Sequence, residues 1–214
     1  MKNILGIKLF LSESLEPERD SLFQYFINSQ AHLEKFALKY GWGNLLKPGF
    51  IQRAEIYDEQ AEFIKALLRV CEVENSSDLP STVSAALEKE IFMSVSPLRY
   101  YEIFPEGRET RAFEKLITHE MAHRLHIRIL NGDEEAMGPI WFFEGFAIFA
   151  ADQFSNAAIN QEKIWKLLEK KDRGSYLDYG ATIRFFLNYV TLPRMVERAS
   201  QKEFHSWLKK SVGI

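Results

Sequence analysis

The chain has 214 residues, of which 46% are hydrophobic, enough for a substantial core, so an intrinsically disordered chain is excluded. Its 27 basic and 30 acidic side chains leave a formal charge of −3, which offers no electrostatic footprint for a polyanion, and no nucleic-acid partner is expected. The single cysteine, Cys71, has no internal partner for a disulfide and reads as a buried packing residue rather than a nucleophile.

The opening MKNILGIKLFL has only a short apolar run, broken by Lys8, and no small-residue cleavage site follows. No signal peptide is therefore recognised, a cytoplasmic location is expected, and no stretch approaches the roughly 18 uninterrupted apolar residues of a membrane span. Leu22, Phe26, Leu33, Phe36 and Tyr40 recur at helical steps, which predicts a helix from about Pro17 to Tyr40, stopped by Gly41-Trp42-Gly43. FIQRAEIY has strand character, and Asp58 is the expected cap of a following helix through Phe63, Leu67, Leu68 and Cys71, making a β-α unit. ENSSDLPS, residues 74 to 81, reads as a loop. TVSAALEKEIFMSVSP and RYYEIFP carry β-branched and aromatic residues at strand-like density and predict two or three strands.

From Arg108 onward the apolar period is helical, with helices expected at about 108 to 130, 140 to 154, 161 to 171, 176 to 190 and 201 to 212, the last capped by Ser200. An N-terminal helix and small sheet followed by a helical half is an α+β pattern. One domain over 1–214 is expected, with the helix and β-α portion in 1–80 and a catalytic core in 81–214.

Within the first of these late helices lies HEMAH. Residues four apart on an α-helix stand within about 40° of each other, so His119 and His123 project from one face, one turn apart, and can grip a single ion. Glu120 lies about 100° around from His119, close enough to reach a water on that ion without being forced to ligate it, as a general base requires. Phe113, Ile117, Met121 and Leu125 form a separate apolar stripe at four-residue steps. Downstream, WFFEGFAIFAADQF opens a second helix, and the 20 residues between His123 and Glu144 let that helix run back past the metal. Glu144 is then the third ligand; three protein ligands plus a water make the open arrangement of a catalytic zinc. Gly145 and Ala147 are small, as a helix packed closely against the metal-bearing helix would need.

HEMAH followed by WFFEGFA resembles the gluzincin metallopeptidases, and in particular the aminopeptidase N family and the smaller peptidase-MA-like domains. The resemblance covers about residues 90 to 214, including the closing FHSWLKKSVGI. It implies a zincin-like fold, His119, His123 and Glu144 as zinc ligands, Glu120 as catalytic base, and a peptide or protein substrate. The chain departs from the pattern in three places, the first being the gap of 20 residues between His123 and Glu144, slightly longer than in aminopeptidase N and thermolysin relatives. No GxMEN segment precedes HEMAH, so anchoring of a free amine is not implied, and Ile148 stands where thermolysin-type enzymes place an aspartate. A carboxylate behind the metal ligands would then come from elsewhere, with Asp152 a candidate.

In gluzincins a downstream tyrosine or histidine stabilises the oxyanion, which here leaves Tyr176 and Tyr179 in GSYLDYGATIRFFLNYV as candidates alongside a packing role for both. His126 is expected to be a surface or capping histidine, and His32 and His205 to be structural. The resemblance also implies an edge strand beside the substrate, for which EIFMSVS and RYYEIF are the candidates. The rivals to a zinc endopeptidase are a zinc-holding module without catalysis and a helical scaffold without metal.

Overall fold

Four short strands form one mixed sheet in the computed structural model, which describes residues 6–72, 83–170 and 172–213. They are β1 (Lys8–Leu11), β2 (Arg53–Tyr57), β3 (Ala85–Glu88) and β4 (Ile91–Val95), in the order β1-β2-β4-β3. The β1–β2 and β2–β4 pairs are parallel, while β3 runs antiparallel to β4. The helices are α1 (Arg19–Lys39), α2 (Gln60–Cys71), α3 (Pro97–Ile103), α4 (Ala112–Ile129), α5 (Ile140–Ala150), α6 (Gln161–Glu169), α7 (Tyr176–Phe186), α8 (Leu192–Arg198) and α9 (Phe204–Ser211). The fold is α+β, with the sheet in the first half and helices throughout the second. None of the described helices is long and apolar enough to cross a membrane.

Several elements differ from the sequence reading for local reasons. RYYEIFP is not a strand: Ser96 accepts a hydrogen bond from the Arg99 N–H at 3.3 Å and Pro97 occupies the first helical position, so the segment starts α3. EIFMSVS is β4, but it lies between β2 and β3 and has no free edge. Neither segment is therefore the expected edge strand. Asp58 does not cap α2, whose N-cap is Glu59; its carboxylate instead accepts from Ser14 Oγ at 3.0 Å and Ser96 Oγ at 3.4 Å. Cys71 is exposed at the end of α2, not buried. Ser200 does not cap the last helix, which begins at Phe204 behind Glu203. An additional helix, α8, carries a proline in its first turn, and IKLFL supplies a strand, β1, that pairs with β2. The loop expected over 74 to 81 lies outside the described residues.

The chain divides into two compact units, Met1–His32 with Lys47–Met121, and Leu33–Leu46 with Ala122–Ile214. In the first, Phe26 of α1 meets Phe92 of β4 edge to face at 5.4 Å, and α2 buries Phe63, Ala66, Leu67 and Val70. Ser29 and Asn28 of α1 donate to the Glu114 carbonyl at 2.8 Å and to its Oε1 at 2.6 Å, which ties down the first turn of α4. The stripe of Phe113, Ile117, Met121 and Leu125 is buried as expected. On β2, Ala54 and Ile56 alternate with Arg53, Glu55 and Tyr57, and the buried Glu55 carboxylate is paired with Arg53 Nε at 2.6 Å and Arg69 Nη2 at 3.3 Å.

In the second unit the decisive packing is between α5 and α7. A Cβ on Gly145 would stand 2.8 Å from Ile183 Cγ1, and one on Gly180 would stand 2.6 Å from Ile148 Cγ2. Each helix thus presents a glycine to a branched side chain of the other, so their backbones approach closely. This corrects the expected role of Gly145: the close approach is to α7. It also explains Ile148, whose side chain fills the space over Gly180. Trp141 stacks on Phe204 of α9 at 5.8 Å, and its indole N–H donates to His205 Nε2 at 3.1 Å, which gives His205 the structural place expected of it.

Candidate metal centre

His119 and His123 lie one turn apart on α4, and α5 carries Glu144 in its second turn. One ligand atom from each of the three lies within 4.8 Å of the other two. His119 and Glu144 are buried, and His123 is partly exposed. His123 Nε2 stands 3.6 Å from Glu144 Oε2. Bonds of about 2.0–2.1 Å to a tetrahedral zinc place neighbouring ligand atoms about 3.3 Å apart, so this pair is spaced to share an ion. Two imidazoles and a carboxylate form a donor set suited to zinc.

The Glu144 carboxylate is used on both sides. While Oε2 faces His123, Oε1 is paired with Arg173 Nη1 at 3.1 Å. The same nitrogen donates to the Tyr176 hydroxyl at 2.5 Å. Arg173 reaches this position from the segment that leads into α7, and the close α5–α7 packing brings that segment to Glu144. Tyr179, buried on α7, accepts a hydrogen bond at its hydroxyl from the Gly174 N–H, which fastens the same segment. The two candidate tyrosines therefore differ in surroundings: Tyr176 is partly exposed beside Arg173, and Tyr179 is enclosed against Gly174.

Glu120 is partly exposed on α4, next to His119. Burial first, then the charges of Glu109, Tyr101 and Glu120, hold the Tyr100 phenol well above its ordinary range. Tyr100, on α3, is thus within electrostatic reach of Glu120, a proximity that the strand-like composition of RYYEIFP does not reveal. Asp152 follows the end of α5 and is exposed, with a left-handed backbone at φ 54°, so the helical spacing that suggested it does not extend that far.

His126 is not at the surface. It is fully buried, its ring stacked on Phe146 at 4.3 Å and meeting Phe142 edge-on at 5.8 Å. Neither ring nitrogen has a hydrogen-bond partner among the described residues. Burial first, and then the neighbouring His123, lowers its pKa to about 3, so the ring is neutral near pH 7. Nearness to the end of α4 favours a surface or capping place for His126, but the phenyl rings of α5 cover that position.

No protein family, curated protein or solved structure matches the chain.

Proposed function

We propose that this chain is a zinc-dependent metallopeptidase of the gluzincin type that cleaves internal peptide bonds. The observation that carries the reading is the convergence of His119, His123 and Glu144 ligand atoms within 4.8 Å, with Glu120 adjacent on the same helix. Zinc bound by these residues would supply Lewis acidity to a water and to the substrate carbonyl.

Glu120 accepts the proton of the attacking water as its oxygen bonds to the carbonyl carbon. It then returns that proton to the departing amine nitrogen as the C–N bond breaks. Tyr176, partly exposed and beside Arg173, donates its hydroxyl proton in a hydrogen bond to the developing oxyanion. Tyr179 supports the segment behind it. Among the described residues β1 and β3 are each paired on one side only, and β3, the nearer of the two in sequence to the metal helix, is taken as the strand for main-chain pairing with an extended peptide.

The test uses the purified chain, an N-terminally blocked, quenched peptide library and an amino-acid anilide. About one zinc per chain is expected in the wild type. Glu120→Gln should keep the metal and lose turnover of the blocked peptides by about 10²-fold or more. A wild type without zinc overturns the reading, and a variant cleaving at the wild-type rate removes Glu120 from it. Turnover of the anilide alone would make the chain an aminopeptidase. A zinc-loaded wild type that cleaves nothing would make it a module that holds zinc without catalysis.

A further inference from the structure

We propose that Arg173 is the positioning residue of the metal centre, using one guanidinium nitrogen to fix both the Glu144 carboxylate and the Tyr176 hydroxyl. The inference rests on the metal reading above and extends it to a residue outside the ligand set. Its basis is that Nη1 is the nitrogen in both contacts, 3.1 Å from Glu144 Oε1 and 2.5 Å from the Tyr176 hydroxyl.

A carboxylate offers lone pairs on two oxygens, so a cation on Oε1 leaves Oε2 directed toward His123. That arrangement makes Glu144 a ligand through one oxygen and restricts the rotation that would turn the carboxylate away. Glu144 is 4% exposed, and an ionised carboxylate buried to that degree requires compensation. Arg173 provides it before any metal arrives, so the carboxylate is held in place in the metal-free protein.

The support of Arg173 is itself built from the fold. Gly145 and Gly180 allow α5 and α7 to close on each other, and Tyr179 at the start of α7 accepts from the Gly174 N–H immediately after Arg173. The guanidinium is therefore presented by a segment anchored to the helix that packs on the Glu144 helix. Through the same nitrogen, the placement of Tyr176 is coupled to the state of Glu144.

The coupling is tested by metal affinity, read by competition with a chromophoric zinc chelator, and by the visible spectrum of the cobalt(II)-substituted protein. Arg173→Ala should weaken zinc binding by about 10- to 100-fold, as expected when a group orienting a metal ligand is removed, and should alter the cobalt spectrum. Because both contacts come from one nitrogen, Arg173→Lys should recover most of the affinity, which a role requiring the planar guanidinium fork would not permit. Tyr176→Phe, which leaves the Arg173–Glu144 pair intact, should hold zinc as the wild type does.

Wild-type affinity and an unchanged cobalt spectrum in Arg173→Ala would overturn the proposal. An Arg173→Lys variant as weak as Arg173→Ala would overturn the shared-nitrogen account. A wild type that binds no zinc would instead bring down the metal reading itself, so the two failures are distinguishable.

Discussion

The backbone of Gly145 passes so close to Tyr179 that a Cβ on the glycine would stand 3.0 Å from the Tyr179 carbonyl oxygen. Gly145 follows the candidate ligand Glu144 directly, and Tyr179 accepts from the Gly174 N–H next to Arg173, so this contact bears on the distance between Glu144 and Arg173. Gly145→Val would force α5 and α7 apart. We expect a stability loss of about 1–3 kcal/mol from overpacking, measured by urea denaturation, together with weaker zinc binding in chelator competition. A variant that loses stability but keeps wild-type zinc affinity would show that the helix spacing does not govern the site.

His123 is the partly exposed member of the candidate ligand set and the one whose Nε2 faces Glu144 Oε2. His123→Ala leaves one imidazole and one carboxylate, too few for a stable catalytic zinc. Elemental analysis of the purified variant is expected to find only a small fraction of the metal carried by the wild type. Full stoichiometry in His123→Ala would remove it from the ligand set.

The convergence of His119, His123 and Glu144 was legible because its geometry is local. A four-residue spacing on a helix places His119 and His123 together whatever surrounds them, and the apolar context of Glu144 marked a second helix turned inward. Arg173 was not legible, since its meeting with Glu144 depends on the Gly145 and Gly180 contacts between two helices distant in sequence. The burial of His126 depends in the same way on Phe142 and Phe146 arriving from α5. RYYEIFP misled through its aromatic content, although Ser96-Pro97 is a local helix-start signal and outweighs it. The position of β4 inside the sheet could not be read from its own residues, because strand order is a property of the pairing partners.

His126 gives the protein an acid-sensitive term. Its folded pKa of about 3 lies below the ordinary histidine value of 6.5, so the unfolded chain binds a proton that the folded one refuses. The stability this contributes is present in full above about pH 6.5 and is lost as pH falls toward about 3. At up to 1.4 kcal/mol per pH unit, the loss between pH 7 and pH 4 is on the order of 3 kcal/mol. His126→Phe removes the titrating group while retaining an aromatic ring against Phe146. Urea denaturation of metal-free protein at the two pH values should show a smaller difference for the variant than for the wild type, the carboxylates being common to both. Equal losses would mean that His126 is protonated at little cost in the fold.

The last test separates stability from the metal centre. Glu55 is buried on β2 and compensated by Arg53 at 2.6 Å, Arg69 at 3.3 Å and a hydrogen bond from the Tyr57 hydroxyl. Glu55→Ala strands the Tyr57 hydroxyl, but the two arginines are 43% and 66% exposed at their side chains and can turn to water. The expected cost is therefore about 1–3 kcal/mol, below the roughly 3–5 kcal/mol of breaking a fully buried pair. Glu55→Gln keeps an acceptor for Tyr57 and should lose less. Urea midpoints at constant slope check both values, while zinc content should stay at the wild-type level because Glu55 is not among the ligating residues. If Glu55→Ala is as stable as the wild type, the cluster on β2 contributes nothing net. If instead it sheds zinc while remaining folded, the strand and the metal centre are coupled in a way the ligand set alone does not provide.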